Sequence, residues 1–239
     1  MSLFEANHIH KRFGQQVVLE NVNLSFEENK LSGIVGPNGA GKTTLFNILT
    51  GKYKPDRGQV VFDGMNITGL PIHKIAQLGI ARSFQIMNLF DEYTVLENVM
   101  VALPGLRMQQ YHMTHNVSTD SALEQEAFSI LERIGLAEDA YAESKSLSYG
   151  KRRALEIGVA LASHPRMLFL DEPTQGLGSE QRRHLMELIH IVKEDTTIVV
   201  IEHDMQFLMD IADVISVVLW GQVIATDSPK KLKMNWKVL

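Results

Sequence analysis

The stretch that decides the fold is GPNGAGKT, residues 36–43. It fits the pattern G-x-x-x-x-G-K-[ST] through Gly36, Gly41, Lys42 and Thr43. Glycines let the backbone bend so that successive N–H groups point inward, and a helix after the loop adds its positive end. An apolar run, LSGIV, precedes the loop, and helix-forming residues follow it. The order strand, glycine loop, helix is the context in which this pattern binds phosphate.

The same stretch predicts a nucleotide and its Mg²⁺ ion as ligands. Lys42 can reach the β- and γ-phosphates, and the Thr43 hydroxyl can ligate Mg²⁺. We expect the nucleotide to contact Gly36, Asn38, Gly39, Ala40, Gly41, Lys42, Thr43 and Thr44. The alternative is a glycine-rich turn between a strand and a helix that binds no ligand.

Composition excludes several classes of protein. The 239 residues carry a net charge of −5, which argues against a nucleic-acid partner bound through bulk positive charge. The chain has no cysteine, so disulfides, zinc–thiolate sites and a thiol nucleophile are excluded. The first residues lack the long apolar core of a signal peptide, and no apolar run approaches the roughly 18 residues that span a bilayer. We therefore expect any work at a membrane to require a partner.

Strand-like and helix-like segments alternate along most of the chain. Predicted strands cover residues 17–19, 22–26, 31–35, 58–62, 80–84, 167–170, 196–201, 214–219 and 222–225, and predicted helices cover 43–49, 72–78, 94–102, 121–134, 149–161 and 180–192. The pattern predicts an α/β fold with a mainly parallel sheet and an N-terminal antiparallel β subdomain. Residues 86–146 show helical patterns and a polar segment, 108–121, but no strand. We interpret them as an α-helical subdomain inserted into a single domain, 1–239, whose core is 1–85 and 147–239.

A second motif, MLFLDEP at residues 167–173, places two carboxylates after an apolar strand. Ligands bind at the carboxyl ends of strands in parallel sheets. Asp171 would hold the hydration shell of Mg²⁺ there, and Glu172 would polarise an attacking water. Alone, the motif could be an ordinary strand and an acidic turn. Beside a phosphate loop it predicts hydrolysis of a nucleoside triphosphate, because that chemistry needs both parts.

A third motif, LSYGK at residues 147–151, opens a predicted helix just upstream of MLFLDEP. It resembles the signature motif of ABC ATPases, usually written LSGGQ, and other family marks follow along nearly the whole chain. The resemblance implies a P-loop NTPase core of the ABC ATPase type, with ATP and Mg²⁺ as ligands. It also implies that Ser148 and Gly150 complete the ATP site of an opposing subunit, either a second copy or a sister ATPase. A plain alternative is that Ser148 only caps the helix.

The resemblance implies roles for three further residues. Phe13 matches the aromatic that stacks on adenine, Gln85 in SFQ matches the glutamine that senses Mg²⁺ and the water, and His203 in VVIEHD matches the histidine that contacts the γ-phosphate. The expected catalytic residues are then Glu172, His203, Gln85 and Lys42, and the expected Mg²⁺ residues are Thr43, Gln85 and Asp171. The alternatives are a packing aromatic at Phe13 and a structural histidine at His203.

Two departures from the family pattern bear on the dimer. The fifth signature residue is Lys151 where the family has glutamine. After Glu172 the family usually reads PTSALD, whereas this chain has Gly178 at the aspartate position. That loop runs along the dimer interface in the family, so the departures concern the coupling between the two ATP sites.

Longer stretches are similar to one branch of the family, the ATP-binding subunits of branched-chain amino acid importers. They include LSYGKRRALEIGVALASHPRMLFLDEPTQGL and IEHDM. The resemblance implies a peripheral position at the cytoplasmic face of the plasma membrane under a separate permease, with a binding protein that selects the substrate. The alternatives are an exporter ATPase of the lipopolysaccharide type, a soluble ABC ATPase outside transport, and an ATP-binding module that does not hydrolyse.

Overall fold

The computed structural model of the chain describes residues 2–83, 89–104 and 121–235. Its strands are β1 Ser2–Phe13, β2 Gln16–Glu27, β3 Leu31–Val35, β4 Arg57–Phe62, β5 Met65–Asn66, β6 Ile80–Arg82, β7 Met167–Asp171, β8 Thr197–Glu202, β9 Val214–Leu219 and β10 Gln222–Asp227. Its helices are α1 Lys42–Leu49, α2 Ile72–Gln77, α3 Val95–Met100, α4 Ser121–Arg133, α5 Tyr149–Leu161, α6 Ser179–Lys193, α7 Met205–Ile211 and α8 Pro229–Asn235. Strands alternate with helices, and the predicted α/β class is confirmed.

A six-stranded sheet with the order β10-β9-β3-β8-β7-β6 forms the centre of the fold. Strands β9, β3, β8, β7 and β6 run parallel, and β10 is antiparallel to β9. Strands β3, β7 and β8 are buried along their whole length, which explains why their sequences are mainly apolar. Because they are parallel, their carboxyl ends lie at the same edge of the sheet.

A second, antiparallel sheet has the order β2-β1-β4-β5. Both sheets contribute to one hydrophobic core, in which Phe169 of the parallel sheet packs against three other phenylalanines. Its ring centroid lies 5.5 Å from that of Phe4, 6.3 Å from Phe26 and 6.2 Å from Phe46. The predicted antiparallel subdomain at the N-terminus therefore shares its core with the parallel sheet.

The prediction of two short strands, 17–19 and 22–26, is wrong. Residues 16–27 form one strand, and the polar residues between the two runs lie inside it. The register with β1 is irregular between Ile9 and Lys11, opposite Asn21, whose φ is +53°. A bulge thus absorbs residues whose composition is typical of a turn.

Close contacts group the chain into two compact units. The first consists of Met1–Arg82, Arg166–Pro173 and Lys193–Leu239, and the second of Ser83–Pro165 and Thr174–Val192. The first contains both sheets, and the second contains α3, α4, α5 and nearly all of α6. The boundaries 86–146 for an inserted subdomain stay a prediction. Of the polar segment 108–121, only Ser121 is among the described residues, as the first residue of α4.

Within the described ranges, no helix is long and apolar enough to span a membrane.

Candidate active site

The phosphate-loop motif lies between β3 and α1, as its sequence predicts. Gly41 precedes the helix with a φ of +98°, and no side chain caps the helix start. A Cβ at Gly36 would lie 2.2 Å from the carbonyl oxygen of Val218, and one at Gly41 would lie 2.9 Å from that of Val18. The loop therefore requires glycine at both positions, because neighbouring backbone fills the space of a side chain.

A turn between β9 and β10 holds the loop in place. The N–H of Gly221 donates to the Ala40 oxygen at 3.0 Å, and the N–H of Glu20 donates to the Gly221 oxygen at 2.9 Å. Gly221 also lies against Val18, where a Cβ would come within 2.3 Å of the carbonyl oxygen. The turn thus connects the phosphate loop to β2.

Lys42 is buried at the start of α1, with 6% of its surface exposed. Its Nζ donates to the carbonyl oxygens of Gly36 at 2.6 Å and Pro37 at 3.1 Å. Burial lowers the pKa of Lys42, and the charges of three carboxylates oppose that shift: Glu172, Asp171 and Glu202. The ammonium group is therefore held by neutral carbonyl groups inside the loop, within the field of nearby acids.

The two predicted carboxylates lie at the end of β7. Asp171 is buried, and Glu172 follows it half-buried. Glu172 has a φ of +43°, in the left-handed region, and its N–H donates to the Ile201 oxygen of β8 at 2.8 Å. Few residues other than glycine adopt this backbone conformation. The backbone at Glu172 is therefore locally strained in order to position the side chain.

His203 follows β8, so the sheet brings it to Glu172. The His203 Nδ1 lies 3.7 Å from Glu172 Oε1 and 3.7 Å from Glu202 Oε2. The His203 side chain is about half exposed, whereas that of Glu202 is fully buried. The imidazole ring of His203 therefore lies at a solvent-accessible edge beside the Glu172 carboxylate.

Two charged residues of this region were not predicted from the sequence. Glu202 accepts a hydrogen bond from the His203 N–H at 3.2 Å, and its position directly before His203 in VVIEHD was the available signal. Arg82 donates to Thr50 Oγ1 at 3.0 Å and lies over the ring of Phe46. Burial lowers the pKa of Arg82, and the charge of Asp171 opposes that shift. No local sequence pattern marks Arg82.

Phe13 ends β1 at the turn of the hairpin that β1 forms with β2. Its side chain is 47% exposed and makes an edge-to-face contact with Tyr53, with the centroids 5.7 Å apart. Lys11 Nζ lies 5.5 Å from the centroid of the Phe13 ring. The hairpin also carries Val18, which contacts Gly41, so the predicted adenine platform and the phosphate loop belong to one packed region.

The residues present fit Mg²⁺ bound together with a nucleotide rather than a metal held by protein alone. Among the described residues, no three or more His, Asp or Glu side chains form a group that could hold a metal ion. Thr43 is exposed on the first turn of α1, and Asp171 ends β7. Mg²⁺ in nucleotide sites keeps several waters and takes phosphate oxygens with few protein ligands. Gln85 lies outside the described residues.

The signature motif belongs to the second unit. Ser148 is the N-cap of α5, and its Oγ accepts a hydrogen bond from the Lys151 N–H at 3.4 Å. Lys151 itself forms an ion pair with Asp139 at 2.7 Å, so this departure from glutamine has a local structural partner. At the other departure, the Gly178 N–H donates to Gln181 Oε1 at 3.0 Å.

Residues 19–175 match the family described as ABC transporter. The chain is 39% identical over 249 residues to the high-affinity branched-chain amino acid transport ATP-binding protein LivG of Escherichia coli (strain K12), covering 99% of this chain and 96% of LivG. It is 31% identical over 240 residues to the lipopolysaccharide export system ATP-binding protein LptB of Haemophilus influenzae, covering 100% and 95%.

Solved structures agree with these sequence matches. The ADP conformation of MJ1267, an ATP-binding cassette of an ABC transporter, has a TM-score of 0.88 at 31% identity and covers 98% of this chain and 94% of that one. The dimeric post-hydrolysis cassette MJ0796 bound to ADP and Pi has a TM-score of 0.77 at 26% identity, covering 95% and 98%. This chain therefore belongs to the ABC transporter family and is an ATPase of the ATP-binding cassette type.

Proposed function

We propose that this chain hydrolyses ATP to power the import of branched-chain or other hydrophobic amino acids through a separate permease. The observation that carries the ATPase mechanism is the convergence of Lys42, Glu172 and His203 at the carboxyl edge of the parallel sheet. The similarity to LivG along 99% of the chain supports the transported class. A separate binding protein selects the substrate, so no residue of this chain needs to contact it.

The phosphate loop holds the triphosphate. The amides around Gly39 and Gly41, with the first turn of α1, face the β- and γ-phosphates, and Gly36, Asn38, Ala40 and Thr44 shape or extend the cradle. Gly39 supports this assignment, because no atom would lie within 4 Å of a Cβ built there. Lys42 exchanges its two carbonyl partners for phosphate oxygens, and Phe13 stacks on the adenine.

When bound, Mg²⁺ neutralises charge on the phosphates and orients them for attack. Thr43 would ligate the ion directly, Asp171 would act through its hydration shell, and Gln85 would complete the site. Glu172 orients and deprotonates the attacking water, and its strained backbone fixes the carboxylate for that task. His203 donates to the γ-phosphate as negative charge develops there.

Ser148 and Gly150 contact the ATP of an opposing subunit. The beginning of α5 supports this role, because a helix N-terminus with an exposed serine attracts an anion. The dimeric cassette MJ0796 supplies a structural precedent for paired subunits. The working pair is two copies of this chain or this chain with a sister ATPase.

An exposed aromatic pair marks the surface that we assign to the permease. Phe90 and Tyr93 are 56% and 44% exposed, and their rings stack with centroids 5.1 Å apart. The buried Asn98 accepts a hydrogen bond from the Phe90 N–H at 2.8 Å and donates to its oxygen at 3.0 Å. Such a fixed apolar patch, close in sequence to Gln85, fits a membrane partner that couples transport to the nucleotide. The chain would then lie peripherally on the cytoplasmic face of the plasma membrane.

The first test uses the Glu172→Gln variant, measured by light scattering after gel filtration with and without Mg-ATP. We expect ATP to convert monomer into dimer, because the variant retains ATP but cannot complete hydrolysis. Adding Ser148→Arg should abolish the dimer, whereas adding Ser129→Arg, at an exposed serine of α4, should leave it intact. ATP binding without dimer formation would contradict a homodimer and direct attention to a sister ATPase.

The main alternative is an exporter ATPase of the LptB type, because the chain is 31% identical to that protein. Co-expression with candidate permeases of each kind, followed by co-purification, separates the two functions. Amino acid uptake by the reconstituted complex should require both ATP and Glu172. Stable assembly with an export permease alone would contradict the import assignment.

A further inference from the structure

Tyr149 contacts the loop that follows Glu172 in the chain. Its hydroxyl donates to the Gln175 oxygen at 3.2 Å, across 26 residues of sequence. Its ring lies over Gly176, where a Cβ would meet Tyr149 Cε1 at 3.2 Å and Cζ at 3.4 Å. Gly176 has a φ of +78°, so both its backbone and this contact favour glycine.

The next residue of the signature motif makes a second contact with the same region. A Cβ at Gly150 would lie 3.1 Å from Cγ of Gln181. The Oε1 of Gln181 accepts the Gly178 N–H at 3.0 Å and thereby closes the start of α6. Residues 149–150 and 175–181 are thus joined by a hydrogen bond, a ring contact and a tightly packed amide side chain.

These contacts connect positions where this chain departs from LSGGQ and PTSALD. Tyr149 stands where the usual signature has glycine, and Gly176 stands where the usual loop has alanine. A glycine at position 149 could make neither the hydrogen bond nor the ring contact. An alanine at position 176 would press its Cβ against the Tyr149 ring. The two departures therefore complement each other sterically.

We infer that Tyr149 is a positioning residue that couples the nucleotide-facing start of α5 to the loop that follows Glu172. This inference rests on the proposed function, in which Ser148 and Gly150 contact the opposing subunit's ATP and Glu172 acts on its own. Tyr149 ties the first of these elements to residues 175–176, three positions after Glu172. Occupation of one ATP site then restrains the catalytic carboxylate of the other, a task for which this chain has no aspartate at position 178.

Hydrogen–deuterium exchange of the full chain tests the coupling without a partner. Tyr149→Phe removes the hydroxyl but keeps the ring, and it should raise amide exchange within residues 174–178 about fivefold, because one hydrogen bond is lost. The matched control is Tyr141→Phe, since the Tyr141 hydroxyl also makes a 3.2 Å hydrogen bond, to Glu124, in the same unit. The control should leave exchange in residues 174–178 unchanged. Equal exchange in both variants overturns the coupling.

ATP turnover distinguishes positioning from direct binding or a merely structural role. Tyr149→Phe should lower kcat about fivefold with KM unchanged, because it loosens the loop of Glu172 and not the ATP contacts. A higher KM at constant kcat would make Tyr149 a direct nucleotide ligand and overturn the inference. A lower Tm with normal turnover would show that Tyr149 has only a structural role, and this result would also overturn the inference. If wild-type protein binds and hydrolyses no ATP, the proposed function fails, and the exchange result alone decides the coupling.

A second pair of variants covers the case in which Tyr149→Phe misfolds. Gly176→Ala should increase exchange of residues 174–178 because the added methyl group displaces the ring. Adding Tyr149→Gly should reverse the part of this increase in exchange that comes from the clash with the ring. The part that comes from the positive φ of residue 176 should remain. Strict additivity of the two substitutions would contradict contact between the positions.

Discussion

Helices α1 and α5 both begin at motifs that we assign to ATP, but they begin in different ways. Helix α1 follows Gly41, and no side chain caps its start. Helix α5 follows Ser148, whose Oγ accepts the Lys151 N–H. In α1 no side chain accepts a hydrogen bond from the first amides, whereas α5 is capped by its own Ser148.

The difference extends to the surroundings of the two motifs. The phosphate loop is fixed by backbone, through close approach to Val218 and Val18 and through the Gly221 turn. The signature motif is fixed by side chains, through Tyr149 and Gln181. We conclude that Gly36 and Gly41 of the first motif tolerate almost no larger side chain, while the second motif can be tuned by exchanging the side chains around it.

The largest effect is expected at Lys42 of the phosphate loop. Its substitution should reduce ATP turnover far more than it reduces the stability of the fold. Lys42→Ala should lower ATP turnover at least about 100-fold, because Lys42 is the only cationic residue of the segment 36–43 and would face the developing phosphate charge. Among the described residues, Lys52 offers the matched control, as an exposed lysine shortly after α1. Steady-state ATPase assays of both variants check this. Similar losses in both would contradict the assigned role.

Next in size is the stability difference between two glycines of the same loop. Gly36→Ala should destabilise the fold by about 3 kcal/mol, since its Cβ would overlap the Val218 oxygen. Gly39→Ala meets no atom within 4 Å and should cost only about 1 kcal/mol, from its φ of +82°. Urea unfolding of both variants measures the difference. Equal losses would mean that close backbone approach does not fix the loop.

A smaller effect separates capping from nucleotide contact at Ser148. Ser148→Ala should cost about 1 kcal/mol in unfolding free energy, and so should Thr94→Ala, because Thr94 caps α3 with a capping box to Glu97. Only Ser148→Ala should also weaken the ATP-dependent dimer of the Glu172→Gln chain. Urea unfolding and light scattering give the two readings. A dimer equally weakened by Thr94→Ala would assign Ser148 to capping alone.

The smallest expected effect is a proton taken up when ATP binds. Burial lowers the pKa of Lys42, so in alkaline solution part of the unliganded protein carries a neutral Lys42. Phosphate charge would raise that pKa, so binding should take up protons, and affinity should fall as pH rises through the lowered pKa. Between that lowered pKa and the ordinary lysine pKa the unfolded chain binds more protons than the folded chain, so folding stability without ligand rises with pH in this interval. Calorimetry in two buffers of different ionisation enthalpy measures the uptake. Equal heats in both buffers would contradict it.

Much of the fold could be predicted because local signals agreed with tertiary structure. Helix α5 has the predicted bounds, since Ser148 is a strong N-cap before an amphipathic pattern. Strand β9 also has the predicted bounds, because five of its six residues are apolar. Strand β2 was divided wrongly because Asn21 and its neighbours have a turn-like composition, and only pairing with β1 shows that they form a bulge.

The candidate site divides in the same way. Lys42, Asp171 and Glu172 stand in local motifs, so the sequence alone names them as candidates. Arg82 lies near Asp171 through long-range packing and has no motif of its own. The Tyr149 contact joins segments 26 residues apart, so no window of sequence contains it. The roles of all the predicted site residues, and the bounds of the inserted subdomain, stay predictions.

The positive φ of Glu172 has a consequence for engineering. An L-residue in the left-handed region costs on the order of 1 kcal/mol that glycine would not. Selection of variants for heat resistance alone would therefore favour Glu172→Gly and produce a more robust but inactive cassette. Thermostabilised variants of this chain should be screened by ATP turnover as well as by melting temperature. At position 172, stability favours glycine, whereas activity requires glutamate.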